Sequence, residues 1–332
     1  MVHRSMSRRR FAAGASLAAL TLGGSLSRAL AAWPGSLRIL CSGPAGSIPD
    51  IVARRYAQAL TGRLATTVIV DNRVGAAGQL AVAALRNASA DGSTLLLAQA
   101  AVATVYPSLY ARLAYDPALD LKPVSAAAEA TLGFAIGSAV PADVTTLRGF
   151  IEWSRRHPER ANVASPGIGT LPHLFSAALA HEAQVDWQHV AYPGGPAAMV
   201  DLIGGRTAAL VLPEGLLRQH HVAGKLRVLA TSGAMRSSYL PDVASIAEQG
   251  FPGLVMREWF AFFMPGAAPA ASAEAAASAI TQCAADGAVQ TALAEAGMAA
   301  VASTPAATVA RIAAEQVFWQ GVLRATGIRA ES

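Results

Sequence analysis

The chain of 332 residues exceeds the size at which one hydrophobic core keeps growing, which excludes a mini-protein or a single bundle and points to two lobes. Hydrophobic residues make up 53% and charged residues 14%, far from the composition of a disordered chain. The net charge of +5 belongs to the first 31 residues, which hold Arg4, Arg8, Arg9, Arg10, Arg28 and no acid; the 21 remaining basic residues face 21 acids.

In chain order, the first segment reads as a signal peptide over 1–31. Ser7-Arg8-Arg9-Arg10-Phe11 precedes a weakly hydrophobic stretch from Ala12 to Leu26, and Ala29-Leu30-Ala31 supplies small residues at the cleavage positions. The paired arginines ahead of Phe11 fit the twin-arginine variant, so a mature product starting at Ala32 is expected in the periplasm. The body, neutral and with only Lys122 and Lys225 as lysines, lacks the cation stripe that would neutralise many phosphates, and nucleic acid is set aside as a partner.

Short apolar runs then alternate with helical patterns. Strands are predicted over 37–40, 67–70 and 94–97, with helices over 51–60 and 79–86 between them. This alternation predicts an α/β lobe with a largely parallel sheet. A second lobe of the same class follows, with strands over 132–136, 162–164, 187–191, 208–212 and 226–230 and helices over 147–156, 172–182 and 197–203. Ala-rich helices over 273–296 and 305–323 end the chain. No Pro/Gly/Ser linker separates the lobes, which predicts crossing strands rather than a tether. Cys41 and Cys283 are read as free, buried thiols, since one pair in a chain this long is no disulfide framework.

Four strand-to-helix junctions are rich in Gly, Pro and small residues: 43–50, 74–78, 165–170 and 192–196. Helix starts present unpaired N–H groups and positive partial charge, and glycine lets a ligand approach that backbone closely. Paired across two lobes, these ends suit an anion. Phosphate loops match poorly, because G-x-x-x-x-G-K-[ST] is missing and Gly167-Ile168-Gly169 lacks the third glycine of a dinucleotide fingerprint. A small carboxylate is the better guest. Enzyme signatures are weak: no G-x-S-x-G, H-E-x-x-H or C-x-x-C occurs, and the histidines show no spacing that recommends a metal or a triad. Asp50 reads as a dipole-stabilising acid and Ser47 as a cap or ligand hydrogen-bonder. No catalytic constellation, cofactor or metal is expected.

At these junctions the sequence resembles the Bug family, the TctC-like extracytoplasmic solute receptors of tripartite tricarboxylate transporters. The resemblance is carried by Pro44-Ala45-Gly46-Ser47-Ile48-Pro49-Asp50, Val70-Asp71-Asn72-Arg73-Val74-Gly75-Ala76-Ala77-Gly78, Ala164-Ser165-Pro166-Gly167-Ile168-Gly169-Thr170 and His189-Val190-Ala191-Tyr192-Pro193-Gly194, in order and spacing. It implies a periplasmic-binding-protein-like fold of two α/β lobes around a cleft, joined by crossing strands, with 32–130 and 257–332 in one lobe and 131–256 in the other. It also implies a receptor, not an enzyme, that captures a small organic acid or amino acid for membrane permease subunits and works as a monomer. Ligand contacts transferred by position are Ser47, Ile48, Pro49 and Asp50, Ala76 and Ala77, and Ser165, Gly167, Thr170, Tyr192, Pro193 and Gly194. The competing readings are a sensor subunit for a membrane kinase and a secreted hydrolase or isomerase with Asp50 or Glu214 as base.

Overall fold

The computed structural model describes residues 35–330, and the predicted leader at 1–31 lies outside the described residues. Eleven strands are described: β1 (Ser36–Cys41), β2 (Thr67–Asn72), β3 (Thr94–Gln99), β4 (Leu121–Ala130), β5 (Leu132–Ile136), β6 (Asn162–Ser165), β7 (Gln188–Ala191), β8 (Ala209–Pro213), β9 (Arg227–Thr231), β10 (Glu258–Pro265) and β11 (Met298–Ala300). They form two sheets, ordered β11-β4-β10-β3-β1-β2 and β7-β6-β8-β5-β9. Helices flank both, giving two α/β lobes.

The first sheet departs from the expected parallel arrangement. Its β1–β2 and β1–β3 pairs are parallel, but β10 runs antiparallel to both β3 and β4, and β11 antiparallel to β4. The physical reason is that β10 arrives from the other lobe rather than through a crossover helix, so its direction is free of the βαβ rule. The expected helix over 273–296 is likewise two, Ala270–Ala284 and Gly287–Glu295. Asp286 breaks it: its carboxylate accepts from the Ala288 N–H at 2.9 Å to start the second helix, and Arg63 Nη2 pairs with it at 2.6 Å.

The lobes are joined where the chain crosses. Only Thr131 separates β4 from β5, so one nearly continuous extended stretch runs from the first sheet into the second. The return passes through Met256 just before β10. Ser232 stitches both crossings: its N–H donates to Leu132 O at 2.8 Å, its hydroxyl accepts from the Leu132 N–H at 3.0 Å and donates to Met256 O at 2.7 Å. A second contact between lobes is so close that only glycine fits, since a Cβ on Gly215 would lie 1.9 Å from Ala296 O.

One buried cluster runs through both lobes, from Leu40 and Tyr106 to Phe134 and Phe150, and each lobe adds a cluster of its own. In the first, helix Ile48–Leu60 turns Val52, Tyr56 and Leu60 inward at helical spacing, all at 0% exposure, and the Tyr56 hydroxyl reaches Ala127 O of β4 at 2.7 Å. In the second, Phe134, Phe150 and Trp187 pack with centroids 5.4 Å apart. Cys41 and Cys283 are free and buried, and burial pushes the Cys41 thiol up to about 11, so it stays protonated.

Candidate ligand-binding site

The four Gly-bearing junctions converge on one cavity of about 570 Å³, in the range of small-molecule sites. The two in the first lobe face the two in the second across contact distance. A Cβ built on Gly194 meets Pro44 Cγ at 2.8 Å, and one on Gly167 lies 3.7 Å from the Ala77 Cβ. The Tyr110 hydroxyl of the first lobe also donates to Ile168 O of the second at 3.4 Å. The lobes are therefore closed on each other around this space.

The first junction is held from below. Helix Ile48–Leu60 begins after Ser47, whose hydroxyl donates to Pro44 O at 2.6 Å, with Pro49 in the opening turn. Asp50 accepts from the Gly46 N–H at 3.0 Å, from Arg54 Nε at 3.0 Å on both oxygens, and from Asn72 Nδ2 at 2.9 Å. Asn72 Nδ2 also donates to Gly43 O at 2.8 Å, locking the loop to the end of β2. Burial alone would raise the Asp50 pKa, but the Arg54, Asn72 and Gly46 donors outweigh it and hold the carboxyl below the usual range.

The second junction is strained. Ala76 and Ala77 both adopt left-handed φ, 44° and 51°, where a Cβ costs on the order of 1–2 kcal/mol per residue. The cost is offset by anchoring: Ala77 O accepts from Gln99 Nε2 and from the Tyr106 hydroxyl at 2.8 Å, and Gln99 Oε1 accepts from Ser42 Oγ at 2.9 Å. Turning the carbonyl back into the lobe leaves the N–H groups of Ala76 and Ala77 without an acceptor among the described residues, as is the N–H of Ile48.

In the second lobe, Thr170 Oγ1 donates to Gly167 O at 2.7 Å, the Tyr192 N–H to Ser165 O at 3.0 Å and the Gly194 N–H to Pro166 O at 3.2 Å. Gly195, first residue of helix Gly195–Ile203, keeps an N–H with no described acceptor. Beneath them, His173 and His189 stack with centroids 3.9 Å apart, and Ser165 Oγ lies 2.7 Å from His189 Nε2. Burial pulls these rings down, to about 3 for His173 and about 4 for His189, so both are neutral supports. The Gly169 N–H donates to His173 Nδ1 at 3.1 Å, which fits a neutral ring.

Of the residues expected at the site, Ser47, Ile48, Pro49, Ala76, Ala77, Gly167, Thr170, Tyr192, Pro193 and Gly194 line the cavity. Asp50 and Ser165 do not. Both are buried behind the loops and spend their oxygens on them, so each is a brace rather than a lining residue. The Tyr192 hydroxyl is also committed, donating to Asp201 Oδ2 at 2.8 Å. Glu214 lies off the cavity: its Oε1 accepts from the Ser237 hydroxyl at 2.6 Å, and burial, against the pull of Ser237 and Arg257, raises it to about 7. Neither carboxylate considered as a base thus reaches the cavity. Among the lining residues that sequence reasoning passed over are Gln99, Tyr110, Arg112, Glu258 and Phe260. Among the described residues no group of three or more His, Cys, Asp or Glu could hold a metal ion.

Two α/β lobes closed on a cavity ringed by helix starts define a solute-binding protein. The model of the tripartite tricarboxylate transporter family receptor, TctC, matches residues 52–327, and the chain belongs to that family. It is 29% identical to Protein BugT of Bordetella pertussis over 287 residues, 86% of this chain and 87% of BugT. Its fold is similar to that of the periplasmic binding protein BugD, with a TM-score of 0.83 and 23% identity over 90% of this chain and 100% of BugD. It is also similar to R. palustris Rpa4515, solved with adipate, with a TM-score of 0.84 and 24% identity over 91% of this chain and 100% of that one. For MatC of Rhodopseudomonas palustris, solved with malate, the TM-score is 0.79 at 23% identity over 87% and 98%.

Proposed function

We propose that this receptor captures a small carboxylate between its lobes in the periplasm and presents it, closed, to membrane permease subunits of a tripartite tricarboxylate-type transporter. The observation that carries the reading is the meeting of unpaired N–H groups from both lobes, Ile48, Ala76 and Ala77 on one side and Gly195 on the other, around one cavity. Backbone donors at helix starts favour an anion without any lysine. Each charge-assisted bond contributes about 1.5–3 kcal/mol, so three or four supply much of the roughly 8 kcal/mol of micromolar binding. The malate and adipate held by proteins of this fold differ in length and hydroxylation but share the carboxylate. The lobe boundaries near Thr131 and Met256 act as the hinge: an anion anchored on one lobe recruits the N–H groups of the other.

Thermal-shift screening of the purified protein against monocarboxylates, dicarboxylates and amino acids tests this. A ligand at 100 times its dissociation constant adds about 2.7 kcal/mol of stability. An unchanged melting temperature with every anion would overturn the reading.

A further inference from the structure

Among the described residues lining the cavity, Glu258 is the one acid. It opens β10, two residues past the return crossing at Met256, and with Gln99 it also borders a neighbouring cavity of about 380 Å³. The residue is 7% exposed, and what surface it keeps opens on those two spaces. Its carboxylate accepts no hydrogen bond and enters no ion pair with any described residue, although a buried carboxylate without partners is costly.

The other polar side chains around it are engaged. Ser42 donates to Gln99, Gln99 donates to Ala77 O, Ser47 to Pro44 O, Thr170 to Gly167 O and Tyr110 to Ile168 O, Gln79 bonds Tyr110, and Arg112, the cation of the described lining, has a partner as well. The cavity therefore offers backbone N–H donors on its junctions, the engaged Arg112 and one uncommitted acid. We infer that the bound carboxylate also carries a cationic amine, and that Glu258 receives it. The inference rests on the anion reading above and adds the second half of the ligand. An ammonium supplies the positive charge and the donors that the protein itself withholds from Glu258. In the ligand-free protein burial raises that carboxyl to about 8, so near neutrality it keeps its proton until such a partner arrives. A second carboxylate in the same place would have to share that single proton with Glu258, and no charged group of the described residues offsets the charge left between the two acids, whereas an ammonium neutralises it.

Matched pairs test this by isothermal titration calorimetry: L-glutamate against glutarate, and 5-aminopentanoate against pentanoate. The amine-bearing member is expected to bind the wild-type protein tenfold or more tightly than its partner. Glu258→Gln is expected to erase that preference by lowering the affinity for L-glutamate and 5-aminopentanoate at least tenfold, and a wild-type circular-dichroism spectrum with a cooperative urea transition shows that the variant is folded. Equal or tighter binding of the amine-free members, or a preference that survives Glu258→Gln, overturns the inference and leaves the carboxylate reading standing. Silence toward all four, together with an unchanged melting temperature across the wider anion screen, overturns both.

Discussion

Two buried acids, Asp50 under the first junction and Glu258 at the start of β10, are 4% and 7% exposed, and they behave in opposite ways. Asp50 is surrounded by donors from Arg54, Asn72 and the Gly46 N–H, and its pKa falls; Glu258 has none, and its pKa rises to about 8. Burial is common to both, so partners rather than depth decide the outcome. An acid that has its donors holds a loop in shape. An acid left without them, facing a cavity, is available to a ligand.

The largest expected effect is at the braced acid. Asp50→Ala strips the donors of Gly46, Asn72 and Arg54 of their acceptor and should lower stability at pH 7 by about 3 kcal/mol, the low end for a broken buried pair because the Arg54 side chain is 54% exposed. Urea denaturation measures it. The pH sign follows from the depressed pKa: the Asp50 contribution is present above about pH 4 and is lost as pH falls through the lower folded value. Asp50→Ala should remove that part of the acid sensitivity, and an unaltered pH profile in the variant would break the contrast.

A smaller effect is expected where the second lobe touches the loop that Asp50 braces. Gly194 has φ +111° and ψ 165°, a region open essentially to glycine alone, and its Cβ position lies 2.8 Å from Pro44 Cγ. Gly194→Ala should cost about 2 kcal/mol. Because part of that cost arises only when the lobes meet, ligand affinity should fall as well as the denaturation midpoint. Unchanged affinity would mean that the first junction yields, contrary to the bracing described.

The smallest effect is at the unpartnered acid, and its sign is reversed. A raised folded pKa makes the wild-type stability contribution greatest below about pH 4, lost progressively as pH rises to about 8. Glu258→Gln keeps the shape without the charge. It should therefore stabilise the ligand-free protein by about 1–2 kcal/mol at pH 9 and by little at pH 4. A variant less stable than wild type at pH 9 would show that Glu258 already has a partner and would erase the distinction from Asp50.

Much of the fold was legible because its signals are local. Strand–helix alternation marks both lobes, and the helices over 79–86 and 147–156 occupy those residues in the structure. The strands that sequence reasoning passed over are those whose identity is set by neighbours. β4, with the sequence Leu121-Lys122-Pro123-Val124-Ser125-Ala126-Ala127-Ala128-Glu129-Ala130, has a composition that favours helix as much as strand, yet it pairs with β10 on one side and β11 on the other. β10 carries the apolar run Trp259–Met264, the mark of a strand buried on both faces, which could have flagged the acid at its head.

By itself the sequence determined the four junctions, because glycine at positive φ, proline in the first turn and free N–H groups at helix starts are properties of a few consecutive residues. Tertiary structure alone decided which acid braces and which faces the ligand. Asp50 meets Asn72 from 22 positions away, whereas Glu258 reaches the cavity only because the chain returns from the second lobe beside β3 and β4. A carboxyl group's charge depends on what surrounds it in space, and residue order does not record that.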